Sequence, residues 1–301
     1  MTLHRFTFRA MAAVNEVQLH SEDARFAEAA AARAIEEVAR IEAKFSRYRD
    51  DSVLSRINAQ AGGAPVRVDE ETRGLLAFAD ACFRQSGGLF DATSGVLRRA
   101  WDFRTGHLPA EAELAPLLPL VGWERVELQG DSVRLPLAGM ELDFGGFGKE
   151  YAVDRAARVL SEMGAASALV NLAGDVAILG AQPGDIPWRV GIQHPRRADA
   201  LLASLPVSSG AIATSGDYER FIEVDGVRHC HVLDPRTGRS ARGFQSVTVH
   251  GPSCLVAGSA STIAMLKGEE EGLAWLELLG LSFLCVRGNG EIVESLSSEK
   301  R

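Results

Sequence analysis

Several stretches of the chain repeat their apolar residues at steps of three and four, which is the spacing of one face of an α-helix. The clearest stretch follows Ser21, which is predicted to cap a helix with apolar residues at Phe26, Ala30, Ala34, Val38, Ile41 and Phe45. Four more helices are predicted over residues 70–85, 149–164, 255–268 and 269–280. Each ends at or near a glycine, the residue that most easily adopts the left-handed conformation after a helix.

Other stretches alternate apolar and polar residues, which is typical of strands. Short turns containing glycine join four pairs of them and predict hairpins: VRLPL with MELDF, ALVNL with DVAIL, RFIEV with VRHCHVL, and FLCVR with EIVESL. The N-terminal stretch MTLHRFTFRAMAAVNEVQLH also alternates and predicts a strand rather than a signal peptide. So much local pairing predicts an α+β fold of mixed, largely antiparallel sheets with packed helices, rather than a doubly wound parallel sheet.

The composition points to a soluble cytoplasmic protein with a large core. The chain has 301 residues, 46% of them hydrophobic, and no apolar run long enough to insert into a membrane. The cysteines are far apart and form no CxxC pair, which predicts reduced thiols at Cys82, Cys230, Cys254 and Cys285. A net charge of −8 without clustered basic and aromatic residues argues against binding to nucleic acid.

The stretch DFGGFGKEYAVD suggests a site for a phosphate group. Gly145, Gly146 and Gly148 let a ligand approach the backbone, and Lys149 follows at the start of a predicted helix. Each helix-end interaction contributes only about 0.3–1 kcal/mol, so several donors and Lys149 must act together to hold a diphosphate. The spacing matches neither Walker A nor GxGxxG, and a tight turn before a helix is the alternative interpretation.

Two further segments combine polar groups near predicted turns. In ATSGDYERF, the residues Thr214, Ser215, Gly216 and Asp217 predict a turn that presents donors to an anion or a ribose, or else an ordinary polar turn. In HCHVLDPRTG, His231 precedes a predicted turn and faces either the core or a cleft. It is a candidate general base only if it borders a reactive centre, and is structural otherwise.

Taken in order, these segments resemble the ApbE family of FAD:protein FMN transferases. The matching motifs are FRAMAAV, YRDDSVLSRIN, FDATSGVL, DFGGFGKEYAVD, VNLAGD, ATSGDYERF, HVLDPRTG and AGSASTIAMLKG. The resemblance implies one mixed α/β domain over residues 1–301, with FAD between two closely packed lobes. It implies a Mg²⁺-dependent transfer of FMN from FAD to a threonine or serine hydroxyl of a flavin-carrier protein, with release of AMP.

The resemblance also implies roles for individual residues. His231 is expected to activate the acceptor hydroxyl, and Lys149 to stabilise the phosphate that leaves. Mg²⁺ is expected at Gly148, through its carbonyl, and at positions 258 and 262, which are four apart on one helix face. The expected FAD contacts are Met11, Tyr48, Leu89, Phe90, Asp91, Gly145 and Tyr151, with Asp175, Ser215, Gly216 and Asp217 in matching motifs.

The chain departs from the family pattern at the expected metal site. The metal aspartate is replaced by Gly258, while Thr262 is retained, so the only formal negative charge offered to the metal is lost. Alanine replaces a motif glycine at Ala12 and Ala173. Glu150 replaces another glycine, and it either approaches a metal at Gly148 or, as the favoured interpretation, is a charge in the first helical turn.

Three functions are therefore open from the sequence. The first is an active transferase whose Mg²⁺ is held by FAD phosphates, water, Thr262 and the Gly148 carbonyl. The second is an FAD-binding protein whose transferase activity is lost or weakened because of Gly258. The third is a slow FAD diphosphatase, in which water replaces the acceptor hydroxyl.

Overall fold

The computed structural model describes residues 1–295, and the five predicted helices are all present. The α-helices are α1 (Ala24–Phe45), α2 (Val53–Ala59), α3 (Glu70–Ser86), α4 (Glu111–Leu114), α5 (Gly148–Glu162), α6 (Cys254–Lys267) and α7 (Glu269–Leu279). The predicted cap of α1 is wrong by two residues. Ser21 ends a strand, and Asp23 caps the helix by accepting hydrogen bonds from the backbone N–H groups of Arg25 and Phe26, at 2.9 and 3.3 Å.

An antiparallel sheet of eight strands forms the centre of the molecule. The strands in chain order are β1 (Thr2–Ala10), β2 (Ala13–Ser21), β3 (Val66–Arg67), β4 (Glu127–Gln129), β5 (Ser132–Arg134), β6 (Ala168–Leu172), β7 (Asp175–Leu179), β8 (Trp188–His194), β9 (Arg197–Val207), β10 (Gly210–Gly216), β11 (Phe221–Val224), β12 (Val227–Cys230), β13 (Ser246–Gly251), β14 (Ser282–Val286) and β15 (Ile292–Glu294). The central sheet has the order β1-β2-β6-β7-β10-β13-β14-β15, and every neighbouring pair in it is antiparallel. The predicted α+β class is therefore confirmed.

Three of the four predicted hairpins are confirmed, as β6–β7, β11–β12 and β14–β15. The fourth is wrong, because β5 pairs with β3 and β4 and residues 140–144 form no strand. Met140, Leu142 and Phe144 are nevertheless buried, and the side chain of Asn58 hydrogen-bonds both the N–H and the C=O of Leu142. The alternation of apolar and polar residues thus predicted correctly which of these side chains are buried. It did not predict which group forms hydrogen bonds with their backbone. The N-terminal stretch, predicted as one strand, is the hairpin β1–β2.

Two layers cover the sheet. On one face, α1 packs against α5, and α6 packs on β10 and β13. On the other face, the hairpin β8–β9 buries Trp188, Val190 and Leu205 against sheet residues such as Ile178 and Ile212. The four cysteines are buried free thiols, as predicted from their spacing. Within residues 1–295, no helix is both long and apolar enough to span a membrane.

Two alanines that replace family glycines lie in tight turns with left-handed backbone. Ala12 has φ 61° between β1 and β2, and Ala173 has φ 51° between β6 and β7. That backbone conformation costs an L-residue about 1–2 kcal/mol, and glycine removes this cost. Glycine also gives the unfolded chain more conformational freedom, which offsets about 0.5–1 kcal/mol of the gain in folding stability. We therefore expect Ala12→Gly and Ala173→Gly each to raise the free energy of unfolding by about 0.5–1 kcal/mol in urea titrations.

The matched control for these turn substitutions is Ala29→Gly, on the exposed side of α1. Glycine in a helix interior should lower the free energy of unfolding by about 1 kcal/mol. If the turn substitutions destabilise the protein as much as this control does, the left-handed backbone carries no strain.

Candidate functional site

The antiparallel packing of α5 and α6 builds the site. The carboxylate of Asp154 on α5 accepts hydrogen bonds from the backbone N–H groups of Cys254 and Leu255 at the start of α6, at 2.7 and 2.9 Å. One turn earlier on α5, Glu150 contacts Gly258 of α6. Contacts therefore run in opposite directions along the two helices, and this order brings Thr262 toward the first turn of α5.

The glycines in the loop before α5 differ in how closely other side chains pack against them. A methyl group at Gly146 would lie 3.0 Å from the ring of Phe90, so packing favours glycine at this position whether or not a ligand binds there. At Gly148 a methyl group would lie 3.5 Å from Cβ of Phe144, which is an ordinary contact. No side chain caps the first turn of α5, so its N-terminus suits an anion.

Lys149 lies between two carboxylates at this helix N-terminus. Its ammonium group donates to Oδ2 of Asp175, the first residue of β7, and lies 3.7 Å from Oε1 of Glu150. Asp175 is only 2% exposed, and its Oδ1 also accepts the backbone N–H of Thr214 at 3.3 Å. Burial opposes the charge on Lys149, but the carboxylates of Glu150 and Asp175 outweigh it and raise the pKa of the lysine.

Glu150 lies in the first turn of α5, but its carboxylate is turned into the protein against α6. The residue is 8% exposed, and its Oε2 is buried without a hydrogen-bond partner within residues 1–295. Burial raises the pKa of Glu150 well above its ordinary value; Lys149 opposes that rise and Asp175 adds to it. The favoured interpretation of Glu150, as a charge at a helix start, does not account for a carboxylate in this environment.

A cluster of hydroxyl groups lies beside this helix pair. Oγ of Ser215 is 2.8 Å from Oγ of Ser261 and 2.9 Å from Oγ1 of Thr262, and Ser261 donates to the carbonyl of Gly258. Residues 214–216 are the end of β10 rather than the predicted turn, which begins after them. The strand conformation directs alternate side chains to opposite faces, and so places the Ser215 hydroxyl against α6.

His231 follows β12 directly and borders the same cationic region. Its backbone N–H donates to the carbonyl of Arg220 at 3.0 Å, and its buried Nδ1 has no partner within residues 1–295. Burial, together with the charges of Arg98, Arg220 and Lys149, lowers the pKa of His231 to about 4. The imidazole is therefore neutral at neutral pH and able to accept a proton.

Several of the expected FAD contacts have side chains already bonded within the protein. Asp91 accepts hydrogen bonds from Thr93 and from the backbone N–H of Trp123. Asp217 forms a bidentate ion pair with Arg196, at 2.6 and 2.7 Å. Gly216 requires its glycine for packing, because a methyl group there would lie 2.4 Å from the ring of Tyr218.

The remaining expected contacts differ in exposure. Tyr48 is 80% exposed, so its ring is available for stacking, whereas Leu89 and Phe90 are buried. The hydroxyl of Tyr151 donates to Glu71 at 2.8 Å, and Gly145 donates its N–H to Oδ1 of Asp143 at 2.8 Å. Met11 lies in the β1–β2 turn, and its N–H is bonded to Glu42.

Sequence reasoning missed two residues that shape the site. Asp154 holds the start of α6 on α5, and the sequence signal for it was only its place in the motif DFGGFGKEYAVD. Arg98 pairs with Asp143 at 3.3 Å and acts on the pKa of His231. No local pattern distinguishes Arg98 from the neighbouring Arg99, because its role depends on contacts across the fold.

Residues 11–284 match the ApbE family model. The chain belongs to the ApbE family. Among its relatives, proteins named FAD:protein FMN transferase from Treponema pallidum and Klebsiella pneumoniae are 35% and 33% identical to it. The first alignment covers 77% of this chain and 69% of the relative, and the second covers 95% and 89%.

Solved structures of the ApbE family share the fold. The ApbE protein of Thermotoga maritima has a TM-score of 0.90 and 32% identity, over 98% of this chain and 97% of that one. The flavinyl transferase ApbE of Pseudomonas stutzeri, in its apo form, has a TM-score of 0.86 and 29% identity, over 98% and 94%. The predicted family and fold are therefore confirmed.

The donors around Gly258 fit a cation that prefers oxygen ligands. Within residues 1–295, no group of three or more His, Cys, Asp or Glu side chains is arranged to hold a metal ion. The nearby oxygens are instead the unpartnered Oε2 of Glu150 and the hydroxyls of Thr262 and Ser215. Mg²⁺ accepts so small a set of protein ligands, because it keeps several waters and binds substrate phosphates.

Proposed function

We propose that this ApbE-family protein is an FAD:protein FMN transferase. It transfers FMN from FAD to a threonine or serine hydroxyl of a flavin-carrier protein and releases AMP. The observation that carries this proposal is the neutral, partly buried imidazole of His231 beside the cationic helix N-terminus at Lys149. A base next to an anion site is what an attack by a hydroxyl group on a diphosphate needs.

The diphosphate of FAD binds at the first turn of α5. Uncapped backbone N–H groups and the ammonium of Lys149 face it there, while the exposed ring of Tyr48 stacks on an aromatic part of the dinucleotide. The other proposed contacts act through backbone atoms or packing where their side chains are bonded internally. They are Met11, Leu89, Phe90, Asp91, Gly145, Tyr151, Asp175, Ser215, Gly216 and Asp217.

The reaction is a displacement at the phosphorus of the FMN half. The oxygen of the acceptor hydroxyl forms a bond to that phosphorus, and the bond from phosphorus to the bridging oxygen breaks. His231 takes the proton of the hydroxyl, and AMP leaves with the bridging oxygen. Lys149 stabilises the charge that develops on the leaving phosphate.

A Mg²⁺ ion would neutralise the charge on the diphosphate when it is bound. The chain would hold it through the carbonyl of Gly148, through Thr262 and through groups beside Gly258. The residues of the chain itself fix the diphosphate against α5 and keep the imidazole of His231 neutral. Buried thiols fit a reducing compartment, which supports the expected cytoplasmic location.

One observation favours a second candidate, an FAD-binding protein with weak or no transfer. Gly258 offers no carboxylate from α6. If the cation is then bound too weakly, FAD is held without transfer, or is slowly hydrolysed by water to FMN and AMP.

The purified protein with FAD, Mg²⁺ and a flavin-carrier domain distinguishes these functions. Covalent flavin is read as fluorescence of the carrier in a denaturing gel, and AMP by chromatography. A transferase releases one AMP for each covalently bound flavin. It releases no AMP when the acceptor threonine of the carrier is replaced by valine. Free FMN with either carrier identifies the diphosphatase, and bound FAD without AMP identifies the binding protein.

A further inference from the structure

We infer that Glu150 supplies the metal-binding carboxylate that position 258 lacks, so that the ligand comes from the first turn of α5 instead of from α6. This inference rests on the proposed function, because the cation concerned is the one used in the transfer. The site would still take a divalent cation with a preference for oxygen ligands. What changes is the helix from which its charge is provided.

Glu150 fills the space into which a side chain at position 258 would project. A methyl group at Gly258 would lie 2.5 Å from Cγ of Glu150 and 3.1 Å from its Cδ and its Oε1. Carbon atoms in contact are normally about 3.5–4.0 Å apart, so this volume holds one of the two side chains and not both. The carboxylate from α5 therefore stands beside α6 on the side of Gly258.

The carboxylate of Glu150 is buried, and one of its two oxygens accepts no hydrogen bond from residues 1–295. The residue is 8% exposed, and its Oε2 accepts no hydrogen bond within residues 1–295. The nearest cation, the ammonium of Lys149, is 3.7 Å from Oε1 and donates to Asp175 instead. A buried carboxylate oxygen without a partner is costly, and a bound cation would remove that cost.

The hydroxyl donor of the site lies on the same face of α6. Gly258 and Thr262 are four residues apart in this helix, so they lie one above the other. Oγ1 of Thr262 is 2.9 Å from Oγ of Ser215, which adds a second hydroxyl next to it. A cation between α5 and α6 would thus have one carboxylate and two hydroxyls at hand, with the rest of its ligands from water and phosphate.

Binding of Mn²⁺ to the protein–FAD complex, followed by the electron paramagnetic resonance signal of free Mn²⁺, tests this inference. Glu150→Gln should weaken Mn²⁺ binding by about tenfold or more. The matched control is Glu70→Gln, an exposed acid in the first turn of α3, which should change it less than about twofold. The double variant Glu150→Gly with Gly258→Asp returns the carboxylate to α6 and should recover most of the affinity.

Gly258→Asp alone should not tighten Mn²⁺ binding, because the new side chain meets Glu150. Glu150→Gln keeps the size of the side chain, so without metal the variant should melt no lower than wild type. Addition of Mn²⁺ should raise the melting temperature of wild type but not that of the variant. Unchanged Mn²⁺ affinity in Glu150→Gln, or tighter binding in Gly258→Asp alone, overturns the inference. Either result leaves the proposed function intact if FMN transfer persists, whereas a wild-type protein that does not bind FAD refutes both.

Discussion

Replacement of His231 by alanine should lower the rate of FMN transfer by about 10²–10⁴-fold, the usual contribution of a general base. The residue is placed to act on the acceptor hydroxyl rather than to hold FAD, so the dissociation constant of FAD should change less than about threefold. Single-turnover transfer to the carrier, measured by flavin fluorescence in a gel, gives the rate. Quenching of flavin fluorescence gives the FAD affinity.

The matched control for this substitution is His107→Ala. That histidine is exposed and pairs with Glu113 at 3.0 Å. It should leave transfer unchanged. Equal rates for His231→Ala and wild type would show that another group, or water, takes the proton.

The pH dependence follows from the lowered pKa of His231, which is about 4. The base is active when deprotonated, so kcat/KM should stay level from pH 8 down to about pH 5 and decline as the pH falls toward 4. The dianionic diphosphate favours a protonated imidazole, so the decline in kcat should occur at a higher pH than the decline in kcat/KM. A histidine exposed to solvent would instead lose activity below about pH 6.5.

Lys149→Met should lower transfer by about 10²–10³-fold, because it removes the cation beside the leaving phosphate. The same change leaves the carboxylates of Asp175 and Glu150 without their shared cation. Removing one partner of a buried ion pair costs about 3–5 kcal/mol, and we expect the lower end because the lysine side chain is 30% exposed. Urea unfolding measures the second effect, and AMP release measures the first.

Asp175→Asn in the Lys149→Met background separates the two effects of the lysine. It removes one of the two unpaired carboxylates, so stability should largely return while transfer stays low. The matched control is Arg287→Met, a cation that also pairs with two carboxylates, Glu269 and Glu270, at the start of α7 rather than α5. It should lower stability and keep transfer. Loss of transfer in proportion to the loss of stability in both Lys149→Met and Arg287→Met would contradict the proposed role of Lys149.

The direction in which pH changes the folding stability also distinguishes Lys149→Met from wild type. The pKa of Lys149 is raised in the folded protein, so its contribution is fully present below the ordinary lysine pKa and is lost as the pH rises through the folded value. In Lys149→Met the buried carboxylate of Glu150, whose pKa is raised by burial, lacks its cation, so the variant should gain stability relative to wild type as the pH falls and Glu150 becomes protonated.

Local pattern in the sequence determined the five long helices and three of the hairpins. The apolar spacing from Phe26 to Phe45 identified α1, and the turns at Ala173 and Asp225 identified two hairpins, because both features depend on neighbours a few residues away. Each family motif is also a short local stretch, and the order of these motifs along the chain identified the ApbE family. The failure at residues 140–144 shows the limit, since Asn58 replaced the expected strand partner.

Only the tertiary structure decided what the candidate site contains. Lys149 and Asp175 are bonded although 26 residues separate them, and Glu150 contacts Gly258 from another helix. The sequence showed that a carboxylate was missing at 258 and that one was present at 150, but it favoured a helix-start charge for the latter. Burial and the direction of a side chain depend on how two helices pack, and no pattern within either helix specifies that packing.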